Sequence, residues 1–322
     1  MNQDKQQRLK ICATDKGIIT AAAMDQRGSL RKALKEAGYD ASDQDLSDFK
    51  VQVSQVLTQH ASAILLDPAY GMAAAKARRS GSGLLMSYEE SGYDQTQPGR
   101  LPDLIPGMSV RRLRDSGTDA IKVLVYYDPF EDAAILEKKH AFVERVGAEC
   151  EAEGMPFFLE PVSYNDKVSD KLELAKLKPE VLKLTVREFT KPQYRVDVLK
   201  LEFPVNVKHV EGLEAAKGNP AVYSKAEAAD LVLAATAEAT IPYIYLSAGV
   251  DMTQFAETLQ FAGEAGDPYN GVLCGRATWK GGIAVFAKSG AAALKDWLEG
   301  EGVANIKMMN EVLASYAKPL SL

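Results

Sequence analysis

Cysteine is scarce in this sequence of 322 residues. The three cysteines are an odd number and form no CxxC pair, which argues against a disulfide framework and against a zinc site. They are Cys12, Cys150 and Cys274. Segment 1–10 is polar and lacks the apolar core of a signal peptide, and no apolar run approaches the roughly 20 residues of a membrane helix. These absences predict a cytoplasmic location without membrane association.

Histidine is equally scarce, with three residues in the chain. His60 and His140 fall in predicted helices, where exposed or capping roles are common. His209 follows the sixth predicted strand and could reach the mouth of the fold, but one histidine is not a metal site. A GxSxG elbow, a P-loop and a GxGxxG turn after the first strand are also missing. We therefore expect no metal and no resident cofactor.

The charge balance excludes another class of partner. A net charge of −6 and a pI near 5.3 argue against a general nucleic-acid binder. They still allow a small anionic substrate, because a local basic pocket can exist on an acidic protein. Oligomeric state does not follow from the sequence, so a homo-oligomer remains open.

Short apolar runs alternate with helical patterns along the whole chain. Most of these runs are continuously apolar, as expected for parallel strands that are buried on both faces. The predicted strands are 17–25, 61–68, 83–89, 119–128, 155–162, 196–205, 242–250 and 270–278. The clearest predicted helices are 45–59, 133–153, 224–239, 253–265 and 303–317. Eight such repeats predict an α/β fold, a (β/α)₈ TIM barrel, with 1–322 as one domain. We expect 91–107 to be a loop over one mouth and 163–192 to be largely helical.

Charged residues stand inside strands that should be buried. Because side chains alternate between the two faces of a strand, Lys200 in 196–205 points into the barrel while its sequence neighbours face the outer helices. The same alternation turns Lys122 and Glu160 inward, and Asp25 closes the first strand. Each buried ion needs a partner or a shifted pKa, because the burial of an unpaired charge costs on the order of several kcal/mol or more.

Two interpretations of these four charges remain open. They could form a structural ion-pair network inside the barrel. Alternatively, they lie where barrel enzymes hold their catalytic groups, and two lysines with a carboxylate suit amine catalysis. A lysine beside a second cation in a partly desolvated site has a lowered pKa and becomes nucleophilic. Lys200 would then attack a ketone, Glu160 would move protons, and Asp25 would orient or deprotonate a substrate hydroxyl.

Small residues and one arginine follow the last two predicted strands. Ser247 and Gly249 end the seventh strand, and Gly275 and Arg276 end the eighth. Small residues let backbone N–H groups approach an anion, and this location often holds a phosphate in TIM barrels. The alternative is that the glycines serve tight turns and Arg276 makes a surface ion pair.

Seven segments in matching order resemble one family. They are AMDQRG at 23–28, ILLDP at 64–68, GRLPD at 99–103, FFLE at 157–160, DVLK at 197–200, YIYLSAGV at 243–250 and GVLCGRATW at 271–279. Together they are similar to tagatose 1,6-bisphosphate aldolases of the Schiff-base type. The resemblance implies cleavage of a ketohexose 1,6-bisphosphate to dihydroxyacetone phosphate and glyceraldehyde 3-phosphate. Fructose 1,6-bisphosphate is a further implied substrate, and lactose use is an implied setting within carbohydrate metabolism.

The resemblance also assigns roles to the candidate residues. It implies that Lys200 is the Schiff-base lysine, that Glu160 is the acid/base carboxylate, and that Asp25 and Lys122 assist them. For the phosphate at C1 it implies a separate set. These residues are Ser247, Gly275 and Arg276, with Gln26 and Arg27 as further pocket residues.

Two alternatives remain beside this one. Glu160 is followed by Pro161 and Val162, where aliphatic residues are expected, and the sulfofructose 1-phosphate aldolases carry a similar Glu-Pro-Val. Another ketose phosphate is therefore an open substrate. A non-catalytic phosphosugar sensor on the same scaffold is the other alternative, because fold alone does not fix function.

Overall fold

The computed structural model describes residues 2–321. Eight parallel strands form a closed barrel in which each strand pairs with its neighbours in chain order. The strands are β1 (Ile19–Ala23), β2 (Ala63–Leu66), β3 (Gly83–Ser87), β4 (Ala120–Tyr127), β5 (Phe157–Ser163), β6 (Val198–Leu201), β7 (Tyr243–Leu246) and β8 (Gly271–Cys274). The predicted (β/α)₈ barrel is confirmed, and each strand lies within its predicted range or, for β5, extends one residue past it.

Helices surround the barrel. They are α1 (Gln3–Ile11), α2 (Gly28–Glu36), α3 (Asp43–Leu57), α4 (Met72–Ala77), α5 (Val110–Asp115), α6 (Ala133–Ala152), α7 (Lys171–Phe189), α8 (Lys225–Thr236), α9 (Met252–Ala265), α10 (Arg276–Trp279), α11 (Gly282–Trp297) and α12 (Val303–Tyr316). Ser42 and Ser224 start α3 and α8 with capping boxes, in which serine oxygens and a carboxylate satisfy free backbone N–H groups. Within residues 2–321, no helix combines the length and the apolar character needed to cross a membrane.

Pairing of β1 with β8 closes the barrel. Ile19 lies opposite Gly271 in this parallel pair. Gly271 has a φ of +136°, and a Cβ atom there would lie 2.0 Å from the Ile19 carbonyl oxygen. Glycine is therefore required at the seam, because any side chain would push the two strands apart.

Side-chain alternation divides the core into an inner and an outer layer. The inner layer consists of Ile19, Ala21, Ala23, Ala63, Leu65, Leu85, Ala120, Phe158, Val198, Ile244 and Leu273. Leu199, Leu201 and Phe203 belong to the outer layer under the helices, as predicted for the neighbours of Lys200. Leu9 of α1 joins the inner layer from the amino end of the barrel. The amino end is thus filled, and the polar inward residues lie toward the carboxyl end.

Several strands end earlier than predicted. β1 stops at Ala23, because the carbonyls of Met24 and Gln26 bond to the ammonium of Lys50 rather than to a neighbouring strand. The predicted strand 270–278 is wrong after Cys274. Gly275 leaves the extended conformation, with φ −96° and ψ −113°, and the chain coils into α10.

Candidate active site

A cavity of about 530 Å³ opens at the carboxyl end of the barrel. Seven of the ten residues predicted for the site line it, namely Asp25, Gln26, Arg27, Lys122, Glu160, Lys200 and Arg276. Ser91, Gly92 and Pro102 of the loop 91–107 form part of its wall, so this loop covers the mouth as predicted. A larger groove of about 700 Å³ lies between α7 and the segment after β6, but it contains none of these seven residues. The four predicted catalytic residues therefore meet in the smaller cavity.

Lys122 of β4 is the centre of the polar cluster. Its Nζ lies 2.9 Å from Asp25 Oδ2, 2.7 Å from Glu89 Oε1 and 2.8 Å from Glu160 Oε2. The Lys122 side chain is 1% exposed. Asp25 and Glu89 accept hydrogen bonds from this ammonium, and Glu160 lies at ion-pair distance from it. We call Lys122, Asp25, Glu89, Glu160 and Lys200 the Lys122 cluster.

Glu160 links the two lysines of the cluster. Its Oε1 accepts a hydrogen bond from Lys200 Nζ at 2.7 Å, while its Oε2 faces Lys122. The three residues stand on the adjacent strands β4, β5 and β6, and alternation turns all of them inward. One carboxylate therefore has direct access to the amine on which the predicted chemistry depends.

Burial and charge set the protonation of the cluster. Burial acts to lower the pKa of Lys122, but the surrounding carboxylates outweigh it and raise that pKa well above its ordinary value. Burial acts to raise the pKa of Asp25, but the charges of Lys122 and Lys200 lower it below its ordinary value. Burial also raises the pKa of Glu89, and Asp25 adds to that rise. The site thus holds a fixed cation at Lys122 and a fixed anion at Asp25.

The ends of β7 and β8 form a second corner of the site. Gly249 has a φ of +76°, and a Cβ atom there would lie 2.7 Å from Cζ of Arg276. Glycine therefore lets the guanidinium pack directly on the backbone. Gly275 is buried, with the Gln26 amide nitrogen 3.4 Å from where its Cβ would be. Ser247 is also buried, whereas Arg276 is exposed, so its guanidinium is the charged group of this corner that can meet a ligand from solvent.

Comparison with known proteins adds an independent observation. The family model for DeoC/LacD family aldolases matches residues 19–281, which contain all eight strands. The chain belongs to this aldolase family. It is similar to tagatose 1,6-diphosphate aldolase 2 of Enterococcus faecalis, with 52% identity over 95% of this chain and 92% of the relative. A tagatose 1,6-diphosphate aldolase of Listeria innocua is 52% identical over 97% and 92%. One from Lactococcus lactis subsp. lactis is 43% identical over 99% and 98%.

Within this aldolase fold, the predicted residues do not all meet the cavity. Ser247, Gly249 and Gly275 lie behind its surface, while the neighbouring Leu246 and Ala248 line it. Gln26 and Arg27 do line it, and Arg27 Nη2 donates to the Glu89 carbonyl oxygen at 2.9 Å. A Gln26 side-chain oxygen and the Arg27 Nε are buried without a hydrogen-bond partner. Polar atoms left unpaired at the wall of a cavity are available to a ligand.

The three histidines lie outside this cavity. His60 follows the end of α3 instead of lying within a helix, so its predicted helical position is wrong. His140 lies in α6 as predicted, and its Nε2 is 2.9 Å from the Tyr127 hydroxyl. His209 is buried in the neighbouring groove, with Nδ1 at 2.8 Å from the Pro220 carbonyl oxygen. None of the three contributes to the Lys122 cluster.

Glu89 is the residue that sequence reasoning missed. It follows β3, where an antiparallel bridge to Leu104 holds the start of the loop 91–107. A signal was present, because alternation from Leu85 through Ser87 puts position 89 on the inward face. The adjacent exposed Glu90 conceals this signal, since a pair of glutamates after an apolar strand resembles an ordinary solvated turn.

Proposed function

We propose that the protein is a Schiff-base aldolase that cleaves tagatose 1,6-bisphosphate to dihydroxyacetone phosphate and glyceraldehyde 3-phosphate. The observation that carries the proposal is the contact of 2.7 Å between Lys200 Nζ and Glu160 in the cavity at the barrel mouth. A nucleophile within hydrogen-bond reach of its base is the arrangement that covalent amine catalysis requires. The names of the relatives support the choice of substrate.

Glu160 and Lys200 carry the first half of the reaction. Lys200 gives a proton to Glu160, and its free amine adds to the C2 carbonyl of the ketose. One nitrogen proton and the Glu160 proton then move to the carbinolamine oxygen, which leaves as water. The product is a cationic iminium between Lys200 and C2. Lys122 Nζ lies 2.8 Å from Glu160 Oε2 and holds this carboxylate beside Lys200.

Carbon–carbon cleavage follows from the iminium. The Glu160 carboxylate takes the proton of the C4 hydroxyl, the electrons of the C3–C4 bond move into the iminium, and glyceraldehyde 3-phosphate leaves. Glu160 then returns this proton to C3 of the enamine, and addition of water to the resulting iminium releases dihydroxyacetone phosphate and restores the ammonium of Lys200. The lowered pKa of Asp25 makes its carboxylate a weak base. Its role here is to accept a hydrogen bond from the substrate hydroxyl and so to orient that hydroxyl.

The phosphate at C1 belongs to the corner after β7 and β8. Arg276 supplies the charge and forked donors that suit a phosphate. Ser247, Gly249 and Gly275 form the close-packed wall behind it, and Gln26 and Arg27 bring unpaired polar atoms to the adjoining surface.

We also propose that the enzyme works in the cytoplasm. All three cysteines are free and buried, which suits a reducing compartment such as the cytoplasm. We propose that the reaction needs no metal and no other cofactor, and that no nucleic acid is a partner. A homo-oligomer stays open, and sedimentation of the purified protein would decide it.

Steady-state kinetics in the presence of a chelator test this function. We expect cleavage of tagatose 1,6-bisphosphate to survive the chelator and to be lost in Lys200→Met. Lys176→Met is the matched control, because Lys176 is an exposed lysine paired with Glu173 outside the cavity. Activity that persists in Lys200→Met, or that the chelator abolishes, would contradict the proposal.

A substrate panel separates the alternatives within the family. The values of kcat/KM for tagatose 1,6-bisphosphate, fructose 1,6-bisphosphate and sulfofructose 1-phosphate should be compared on one preparation. The proposal expects the tagatose compound to be a good substrate. A clear preference for sulfofructose 1-phosphate would reassign the substrate, and tight binding of all three without turnover would indicate a sensor.

A further inference from the structure

Lys50 is a buried lysine that the proposed reaction does not use. It lies on α3, outside the barrel wall, and is 0% exposed. Its Nζ donates to the carbonyl oxygens of Met24 and Gln26, both at 2.7 Å, and lies 2.6 Å from Asp67 Oδ2. The two carbonyls accept hydrogen bonds from the ammonium, and the Asp67 carboxylate lies at ion-pair distance from it. A charged group is therefore placed, at a high desolvation cost, where it contacts only backbone and one carboxylate.

The two carbonyls that Lys50 binds belong to the residues on either side of Asp25. β1 has already ended at Ala23, and the only ladder bond beyond it is from Met24 N to the Leu65 carbonyl. The backbone around Asp25 is thus held by one ammonium behind the barrel wall. On the other side of that backbone, the Asp25 carboxylate accepts from Lys122 at 2.9 Å inside the cavity.

Asp67 completes the arrangement. It follows β2 within the ILLDP segment, whose acidic residue the proposed reaction leaves without a role. Its carboxylate is 0% exposed, and Oδ1 accepts from Tyr70 N at 2.9 Å, which fixes its orientation. Burial lowers the pKa of Lys50, and the Asp67 charge is the largest influence that opposes this lowering. Asp67 therefore favours the ammonium form of Lys50, whose charge strengthens its hydrogen bonds to both carbonyls.

We propose that Lys50 and Asp67 are a positioning pair that holds Asp25 at the correct place in the cavity. This inference rests on the proposed function, in which Asp25 orients the hydroxyl of the substrate. Neither member of the pair reaches the cavity, so each acts through the backbone of segment 24–26. A pair with only a structural role would stabilise the fold without any specific effect on turnover.

A double-mutant cycle distinguishes the two roles. We expect Lys50→Met to lower kcat by roughly 10- to 100-fold, as misplacement of a reacting group by about 1 Å does. KM should change much less. In an Asp25→Asn background, Lys50→Met should lower kcat no further, because the residue through which it acts is already removed. Effects that multiply, or a kcat per folded enzyme equal to that of the parent, would overturn the inference.

The matched control is another buried Lys–Asp pair at the opposite end of the barrel. Lys5 is 1% exposed and its Nζ lies 2.9 Å from Asp197 Oδ2, under the amino ends of the strands. Lys5→Met should lower the melting temperature and leave kcat unchanged. An equal fall of kcat in Lys5→Met would mean that loss of a buried pair disturbs the whole barrel, which contradicts a specific role for Lys50.

A second variant separates a folding defect from a loss of turnover. Where Lys50→Met does not fold, Lys50→Met with Asp67→Leu removes both charges and leaves no unpaired buried ion. This double variant should fold and still show the loss of kcat, and a normal kcat in it would overturn the inference. If the unsubstituted enzyme does not cleave the ketose bisphosphate at all, the proposed function fails instead, and that result appears before any variant is compared.

Discussion

Replacement of Lys122 by methionine removes the one cation that three carboxylates share. Breaking a buried ion pair by deleting one partner costs about 3–5 kcal/mol. Because the unfolding entropy is about 2.1 cal/mol/K per residue, a chain of 322 residues loses roughly 1.5 °C of melting temperature per kcal/mol. We therefore expect Lys122→Met to melt roughly 4–8 °C below the parent at pH 7, measured by calorimetry.

The loss of stability in Lys122→Met should depend on pH. Without Lys122, the buried carboxyl groups of the cluster repel one another, and the pKa values of Asp25 and Glu89 in the folded state rise above those of the unfolded chain. Stability from such groups is present at low pH and is lost as pH rises through the folded pKa. The deficit of Lys122→Met should shrink between pH 7 and pH 5, and adding Glu89→Gln should restore part of it. A deficit that is absent, or that grows on acidification, would refute the reasoning.

Three other outcomes follow from particular contacts. Gly249→Ala places a methyl group against the guanidinium of Arg276 and should raise KM for the bisphosphate, whereas Gly38→Ala, which shares the positive φ but has no neighbour within 4 Å, should leave KM unchanged. Lys139 is fully buried, and burial lowers its pKa to about 8. Above pH 8 this side chain binds fewer protons in the folded state than in the unfolded chain, so its contribution to stability should rise from pH 8 to 10 by about 1 kcal/mol per pH unit. Urea titrations should show this rise in the parent and not in Lys139→Met. Glu89→Gln leaves the central lysine two carboxylates, so we expect a folded enzyme whose kcat is reduced and whose pH–rate profile is displaced.

The alternation of side chains along single strands was sufficient to predict most of the inward-facing site residues. The inward positions of Lys122, Glu160 and Lys200 follow from a period of two within β4, β5 and β6, and neighbouring parallel strands then bring them together. The barrel itself follows from eight apolar runs separated by amphipathic helices. These features are local patterns, and one sequence is sufficient to detect them.

Strand ends and long-range partners could not be obtained in this way. β8 stops at Cys274 because Gly275 turns the chain into a helix, whereas the predicted strand continues to 278. Lys50 lies on the apolar face of α3, one residue after Phe49, but its partners Met24 and Gln26 are brought to it only by the packing of α3 on the barrel. Such contacts depend on tertiary structure, and no local period encodes them.

Covalent trapping tests the central claim most directly. The protein is incubated with dihydroxyacetone phosphate, reduced with borohydride, digested and mapped by mass spectrometry. The account predicts one reduced triose phosphate adduct per chain, on the peptide that contains Lys200, and no adduct in Lys200→Met. An adduct on Lys122 or on any other lysine, or the absence of an adduct from an enzyme that still cleaves its substrate, would contradict it.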